Sequence, residues 1–302
     1  MAKPINKETI TEWFKGLQDH ICHEIEALEA TAQFKEDVWE RPGGGGGRSR
    51  ILEGSVIEKG GVNFSAVHGP TPEKILKALG LEQSDFFATG VSIVMHPTNP
   101  HVPIIHMNVR YFEMSNGTKW FGGGIDLTPH YITEEQAAYF HASLRSVCDK
   151  HDSSYYPKFK KWADDYFYIH HRKETRGIGG IFFDRLTPED DDHFSTLFDF
   201  VKDVGNSFAP LYTQFVRKNM LTPYDETHKK WQWIRRSRYA EFNLVYDKGT
   251  KFGLETDGRI ESILMSMPPV ATWVYNHTPE AGSAEESTLQ LLKKDINWAS
   301  KL

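Results

Sequence analysis

The chain has 302 residues, 39% hydrophobic and 25% charged, enough for a sizeable buried core and too apolar for a disordered polymer. Its formal charge of −6 excludes bulk attraction to nucleic acid or to an anionic membrane, so any basic site must be a local cluster of Arg and Lys. Two cysteines, Cys22 and Cys148, make neither a disulfide framework nor a structural zinc site, which points to a reducing compartment.

No apolar run approaches the roughly 18 residues of a membrane span, so no transmembrane segment is expected. The N-terminal region has no apolar signal core. Thr9-Ile10-Thr11-Glu12 has capping-box spacing, and Ile10, Trp13, Phe14, Leu17, Ile21, Ile25 and Leu28 recur at helical intervals. Glu24, Glu26 and Glu29 argue against an organelle transit peptide, which is acid-poor, so a cytoplasmic location is expected. The glycine run Gly43 to Gly47, followed by Arg48-Ser49-Arg50, reads as a loop inside one domain, because a single preceding helix is not a domain. Thr71 to Gly80, with Pro72 at the first helical position, reads as a short helix.

The period then changes. Residues 86–96 and 104–114 are rich in β-branched and aromatic residues, and Asn116-Gly117 carries the hairpin signal into a third strand, Trp120 to Leu127. Helices are expected over 133–149 and 155–169, a strand from Ile178 to Asp184, and helices near 188–204 and 207–219. Tyr239 to Tyr246, Lys251 to Thr256 and Ile260 to Met267 read as three closing strands with turns at Asp247-Lys248-Gly249 and Asp257-Gly258. Ser283 to Glu286 caps a terminal helix. The expected fold is α+β: a single domain over residues 1–302, built on a large, mainly antiparallel sheet covered by helices on both faces.

Alternation along the second strand of the meander puts His106, Asn108 and Arg110 on one face and Ile105, Met107, Val109 and Tyr111 on the other. Ser92 and His96 share a face of the preceding strand, and Asp126 follows Gly122-Gly123-Gly124. Paired strands would collect these groups on one polar surface. The other reading is the ordinary solvated face of an antiparallel sheet. Glycines beside Asp126 favour the close approach of something bulky.

The glycine run lacks the Gly-Lys-Ser/Thr ending of a nucleotide loop; it is either a flexible loop or an anion wrap flanked by Arg48 and Arg50. Arg172 to Arg176 and Arg235-Arg236-Ser237-Arg238 are further basic clusters, each a solvated face or part of a site for a ligand bearing several carboxylates or phosphates. There is no His-Glu-x-x-His, and His141 lies on an apolar stripe, as a hydrogen-bonded core histidine would. His170 and His171 end a helix, where a cation suits the dipole. Spacing alone does not point to a metal site.

Several segments then align in order: Trp39 with Gly43 to Arg50, Gly61-Val62-Asn63-Phe64-Ser65, Trp120 to Pro129, Asp164-Asp165-Tyr166-Phe167-Tyr168, Arg176-Gly177-Ile178-Gly179-Gly180 and Glu261 to Pro269. Together, from about residue 10 to about residue 275, they resemble the oxygen-dependent coproporphyrinogen-III oxidases. The resemblance implies a homodimer on a flat antiparallel sheet that oxidatively decarboxylates two propionates of coproporphyrinogen III to vinyls. The products are protoporphyrinogen IX, carbon dioxide and hydrogen peroxide. Oxygen is the co-substrate, and no organic cofactor is implied, since an electron-rich porphyrinogen supplies the electrons. By matching position, Ser92, Asn108-Val109-Arg110 and Asp257-Gly258-Arg259 correspond to substrate contacts, His106 to the proton donor and Asp126 to the acid facing the pyrroles.

Lys248, Arg48, Arg50 and Arg176 are basic candidates for the substrate's carboxylates. His96, His106, His141 and His171 match positions sometimes assigned to a divalent metal, and Tyr239 to Trp273 matches a segment linked with dimer formation. Two positions depart from the family pattern. Arg185 stands where an acidic residue follows Phe-Phe-Asp, and Lys248 replaces an arginine. A catalytically inactive tetrapyrrole-binding scaffold and a histidine-ligated metallo-oxidase using His96 and His106 are the alternatives.

Overall fold

The computed structural model describes residues 5–71, 76, 84–255 and 258–301. Helix α1 (Lys7–Glu26) opens the chain and is capped by Asn6, whose side chain accepts from the Thr9 amide, three residues before the cap expected from Thr9-Ile10-Thr11-Glu12. Seven strands follow as one sheet: β1 (Lys35–Glu40), β2 (Gly45–Leu52), β3 (Ile57–Pro70), β4 (Asp85–Pro97), β5 (Ile104–Met114), β6 (Lys119–Thr128) and β9 (Gly179–Leu186). Their order is the chain order, and every neighbouring pair is antiparallel. Between β6 and β9 come α2 (Glu134–Asp149), α3 (Tyr155–Tyr166) and a small hairpin, β7 (Tyr168–Ile169) with β8 (Glu174–Thr175). After β9 the chain is helical: α4 (Asp191–Asn219), α5 (Glu226–Val245), α6 (Lys248–Glu255), α7 (Ile260–Leu264) and α8 (Ala284–Leu291). Ser283 caps α8 through the Glu286 amide, as the sequence indicates.

One face of the sheet is the core. Val62, Phe64, Val91, Ile93, Ile105, Met107, Val109, Phe121 and Ile125 are buried there with Ile10, Phe14 and Leu17 of α1 and Phe198, Val201 and Phe208 of α4, the period-two and period-3.6 stripes meeting as layer packing demands. The α+β class and the central meander follow the sequence reading.

Three parts of the reading are corrected. From Gly45 on, the expected glycine-rich loop is strand β2, paired on both sides, while Gly43 and Gly44 form the turn that leads into it. Its glycine at 47 is needed because the Trp39 ring lies across it: a Cβ there would sit 2.4 Å from Trp39 Cζ2. The helices expected near 188–204 and 207–219 are one helix, α4, with Pro210 inside it; continuous burial of Val204, Phe208, Leu211, Tyr212 and Phe215 against the core carries it through. The three closing strands are α5, α6 and α7. Asp225 accepts from the Thr227 and His228 amides at 2.9 and 3.2 Å, and the helix started by this capping box continues through the aromatic Tyr239–Tyr246 stretch that local propensity reads as strand. The helix expected over Thr71 to Gly80 lies outside the described residues apart from Thr71 and Leu76.

Candidate active site

The second face of the sheet carries polar residues in transverse rows set by register. Asp37, Ser49, Asn63, Ser92, Asn108 and Gly124 stand opposite one another across β1 to β6. One row along, Val94, His106 and Asp126 are opposed, and on the other side Gly90, Arg110 and Gly122. The pleat therefore brings Ser92, Asn108, Arg110, His106 and Asp126 onto one shelf, as the alternation requires. The side chain of Val109 points to the core face, fully buried, so only its backbone lies between Asn108 and Arg110 on the shelf.

Asp126 is the most enclosed member. Its side chain is 2% exposed, and both oxygens are engaged: Oδ1 accepts from His106 Nδ1 at 2.8 Å and Oδ2 from Arg176 Nη2 at 2.7 Å. Arg176 enters from the β8–β9 connection, itself 2% exposed, donates to Asn243 Oδ1 at 2.7 Å, and lies over the rings of Phe167, Tyr239 and Phe242 at 4.3, 4.7 and 4.7 Å. Burial alone would raise the Asp126 pKa, but the Arg176 charge and the His106 hydrogen bond outweigh it and hold the carboxyl below the usual range. An ionised Asp126 can only accept, so the hydrogen bond places a proton on His106 Nδ1. His106 is 23% exposed, and no described residue bonds its Nε2. The acid assigned to face the pyrroles is thus seated beneath the histidine, with no free oxygen to offer a ligand.

Arg110 donates to Asn108 Oδ1 at 2.7 Å and to Asp184 Oδ1 at 2.8 Å. Gly122 makes room for that pair, since a Cβ there would be 2.5 Å from Asp184 Oδ1 and 2.9 Å from Arg110 Nη2. Over β2 to β4 the shelf is crossed by the segment carrying α7. Asn63 Nδ2 donates to the Ser262 carbonyl at 2.9 Å, Lys59 Nζ to that of Met267 at 2.8 Å, and His96 Nε2 to that of Ser266 at 2.8 Å. Arg259 pairs with Asp37 and donates to Ser262 Oγ at 2.9 Å and Ser49 Oγ at 3.3 Å. Hollows of about 300 Å³ beside Cys22 and Arg50 and of about 360 Å³ beside Trp231 and Trp233 lie away from these residues.

Other candidates are not brought to it. Arg48 and Arg50 alternate onto the opposite face, where they meet Asp19 of α1 at 3.1 and 2.7 Å; one step of register separates them from Ser49. Lys248 is the exposed first residue of α6, its amide donating to the Tyr166 hydroxyl at 3.2 Å, in place of the expected hairpin turn. Gly258 donates its amide to the Gly253 carbonyl at 2.8 Å, and Asp257 lies outside the described residues. Arg185 is exposed on edge strand β9 with a positive φ of 51°. Arg235, Arg236 and Arg238 are buried within α5.

The four histidines matched to metal positions do not converge. His141 is fully buried with Nδ1 on the Tyr156 hydroxyl at 3.0 Å and Nε2 on the Ile178 carbonyl at 2.9 Å. His171 is bound by Glu241 and Tyr246, both at 2.7 Å. His96 is held by Ser266 and His106 by Asp126. Among the described residues no three His, Cys, Asp or Glu side chains are grouped to hold a metal ion, and with both His141 nitrogens taken the set does not fit one.

Sequence reasoning missed Asp184, Asn63, Ser49 and the Phe167–Tyr239–Phe242 cage. Period-two alternation of Phe182 and Asp184 could have found the first; the others needed β2, β3 and α5 to be assigned correctly.

The family model for coproporphyrinogen III oxidase matches residues 9–298. The chain is 49% identical over 300 residues to coproporphyrinogen-III oxidase 1, chloroplastic, of Arabidopsis thaliana, covering 94% of this chain and 77% of that protein. It is 49% identical over 297 residues to the oxygen-dependent coproporphyrinogen-III oxidase of Drosophila melanogaster, covering 93% and 75%. The chloroplastic enzyme of that name from Glycine max is 48% identical over 297 residues, covering 93% and 76%. With the fold and shelf described above, the chain belongs to the coproporphyrinogen III oxidase family.

Proposed function

We propose that the shelf is where this chain converts two propionates of coproporphyrinogen III to vinyls with oxygen, giving protoporphyrinogen IX. For each propionate, one hydrogen leaves the β-carbon, the bond to the carboxyl carbon breaks to release carbon dioxide, and oxygen takes up two electrons and two protons as hydrogen peroxide. The single observation that carries the reading is His106 Nε2, without a hydrogen-bond partner among the described residues and held on the shelf by an ionised, doubly bonded Asp126. That arrangement presents a proton-transfer atom of defined tautomer.

Arg110 binds a substrate carboxylate. Arg259 lies beside Ser49, three strand spacings from Asn108, about 14 Å away, and binds another. Arginines so spaced suit a substrate that carries about four negative charges at neutral pH. Ser92 and Asn108 hydrogen-bond the ring or its side chains. Arg176 keeps Asp126 charged, and Asp126 keeps His106 oriented, each acting through its neighbour. The two electrons come from the propionate's broken bonds and the electron-rich pyrrole conducts them to oxygen, so no flavin or nicotinamide is called for.

The test is incubation of purified protein with coproporphyrinogen III, with and without oxygen, followed by porphyrin analysis. Oxygen-dependent formation of the divinyl product supports the reading. Product in strict anaerobiosis, or none in air, overturns it.

We further propose that the protein works as a homodimer. Leu244, Val245, Phe252, Ile260, Val270, Trp273 and Tyr275 are exposed within residues 244–275, and apolar side chains left exposed along one stretch of chain suit an interface. Sedimentation should give a dimer across the assay range; an active monomer there refutes it. A cytoplasmic location is also part of the proposal. It rests on Cys22 and Cys148, both buried and unpaired as thiols, which suits a reducing compartment. Among the described residues no helix is long and apolar enough to cross a membrane. Cell fractionation tests it, and recovery in an organelle fraction contradicts it.

A further inference from the structure

One feature of the polar face is apolar. The row beyond Arg110 and Gly122 holds Ala88, Phe112 and Trp120 in register. Phe112 and Trp120 stack at 4.2 Å and 22°, and Phe86 stacks on Phe112 at 6.1 Å and 8°. All three rings are half-buried, on the side of the sheet opposite the core. Arg41 closes the outer end, its guanidinium over Phe86 at 5.5 Å and its Nη1 donating to the His68 carbonyl at 3.0 Å. Phe112 follows Arg110 on the same face by two residues, about 7 Å.

We propose that Trp120, Phe112 and Phe86 form an apolar wall that accepts the methyl-bearing edge of the tetrapyrrole and rejects macrocycles with carboxymethyl groups at those positions. The inference rests on the shelf being the tetrapyrrole site. Each pyrrole of the substrate carries one propionate and one methyl on neighbouring carbons. A propionate gripped by Arg110 therefore turns the neighbouring methyl toward the ring stack. A methyl gains contact there. A carboxymethyl would lose water against ring faces that carry negative charge density, with Arg41 at the outer end turned to the Phe86 ring and the His68 carbonyl, and Asp184 beside Arg110 adds like-charge repulsion. Cross-strand aromatic pairs also stabilise sheets, so the test must separate recognition from folding.

The full chain is titrated with two stable oxidised probes, coproporphyrin III with four carboxylates and uroporphyrin III with eight, followed by porphyrin fluorescence anisotropy. Coproporphyrin should bind at least tenfold tighter than uroporphyrin. Trp120→Gln and Phe112→Lys should each shrink that ratio at least fivefold, and thermal unfolding identifies the folded variants on which the ratio is read. A ratio unchanged in a folded variant, or equal binding of both probes by the unaltered chain, overturns the wall. Binding of neither probe by the unaltered chain overturns the tetrapyrrole reading of the shelf and the wall with it.

Discussion

Replacing Asp126 with Asn keeps the shape of the side chain and removes its charge. In the unaltered protein both carboxylate oxygens accept, one from His106 and one from Arg176. An amide offers one oxygen. If it stays toward Arg176, its NH2 group faces His106 Nδ1 and forces the proton to Nε2, the wrong tautomer. If it turns toward His106, the tautomer is kept and its NH2 group faces the guanidinium instead. In either pose Arg176, 2% exposed, loses its charged partner, which leaves an uncompensated buried charge, about 3–5 kcal/mol of stability. The first pose also removes general acid–base assistance, about 10²–10⁴ in rate.

Asp126 does not reach the ligand side of the shelf, so kcat should fall by that factor while KM changes less than about threefold. Steady-state turnover with porphyrin chromatography measures both, and thermal unfolding measures stability. The sign with pH is fixed as well. The folded Asp126 pKa is depressed, so its stabilisation is present above the unfolded carboxyl value and lost as pH falls through the depressed one; the variant lacks that loss. A rise in KM with kcat preserved would make Asp126 a substrate contact and refute the positioning role.

Burial pushes His96 and His141 from 6.5 down to about 3. Below pH 6.5 the unfolded chain takes up protons that the folded one refuses, so each costs about 1.4 kcal/mol of stability per pH unit down to about 3. His141→Asn should be less stable at neutral pH yet show a flatter acid limb in urea unfolding, and an unchanged limb would contradict this burial. Lys248→Ala should leave KM and its salt dependence unchanged, since the side chain is exposed at the start of α6. A raised KM with a shallower salt response would return Lys248 to the substrate.

The meander β4–β5–β6 was legible because alternation, β-branched and aromatic composition and Asn116-Gly117 all agree, and with it came the shelf's central residues Ser92, His106, Asn108, Arg110 and Asp126. What alternation cannot state is what lies above a face. The depth of Asp126 depends on Arg176, contributed 50 residues later in sequence, and on an aromatic cage from the β7 hairpin and α5. Helix α5 was hidden because its buried stripe includes Arg235, Arg236 and Arg238, which mimic a solvated charged face. Strand β2 was hidden because it opens on three glycines, Gly45 to Gly47, which carry no alternation; their use appears only once the Trp39 ring is laid across Gly47. Arg48 and Arg50 then fall on the core side by parity alone.

The central claim is that a carboxylate-held imidazole moves the proton on this shelf. His106→Ala, folded as judged by thermal unfolding, should be assayed for conversion of coproporphyrinogen III in air, with and without added imidazole. The account predicts a fall in kcat of at least about 10²-fold, partly restored by imidazole and with little change in KM. Near-normal kcat without imidazole would contradict it.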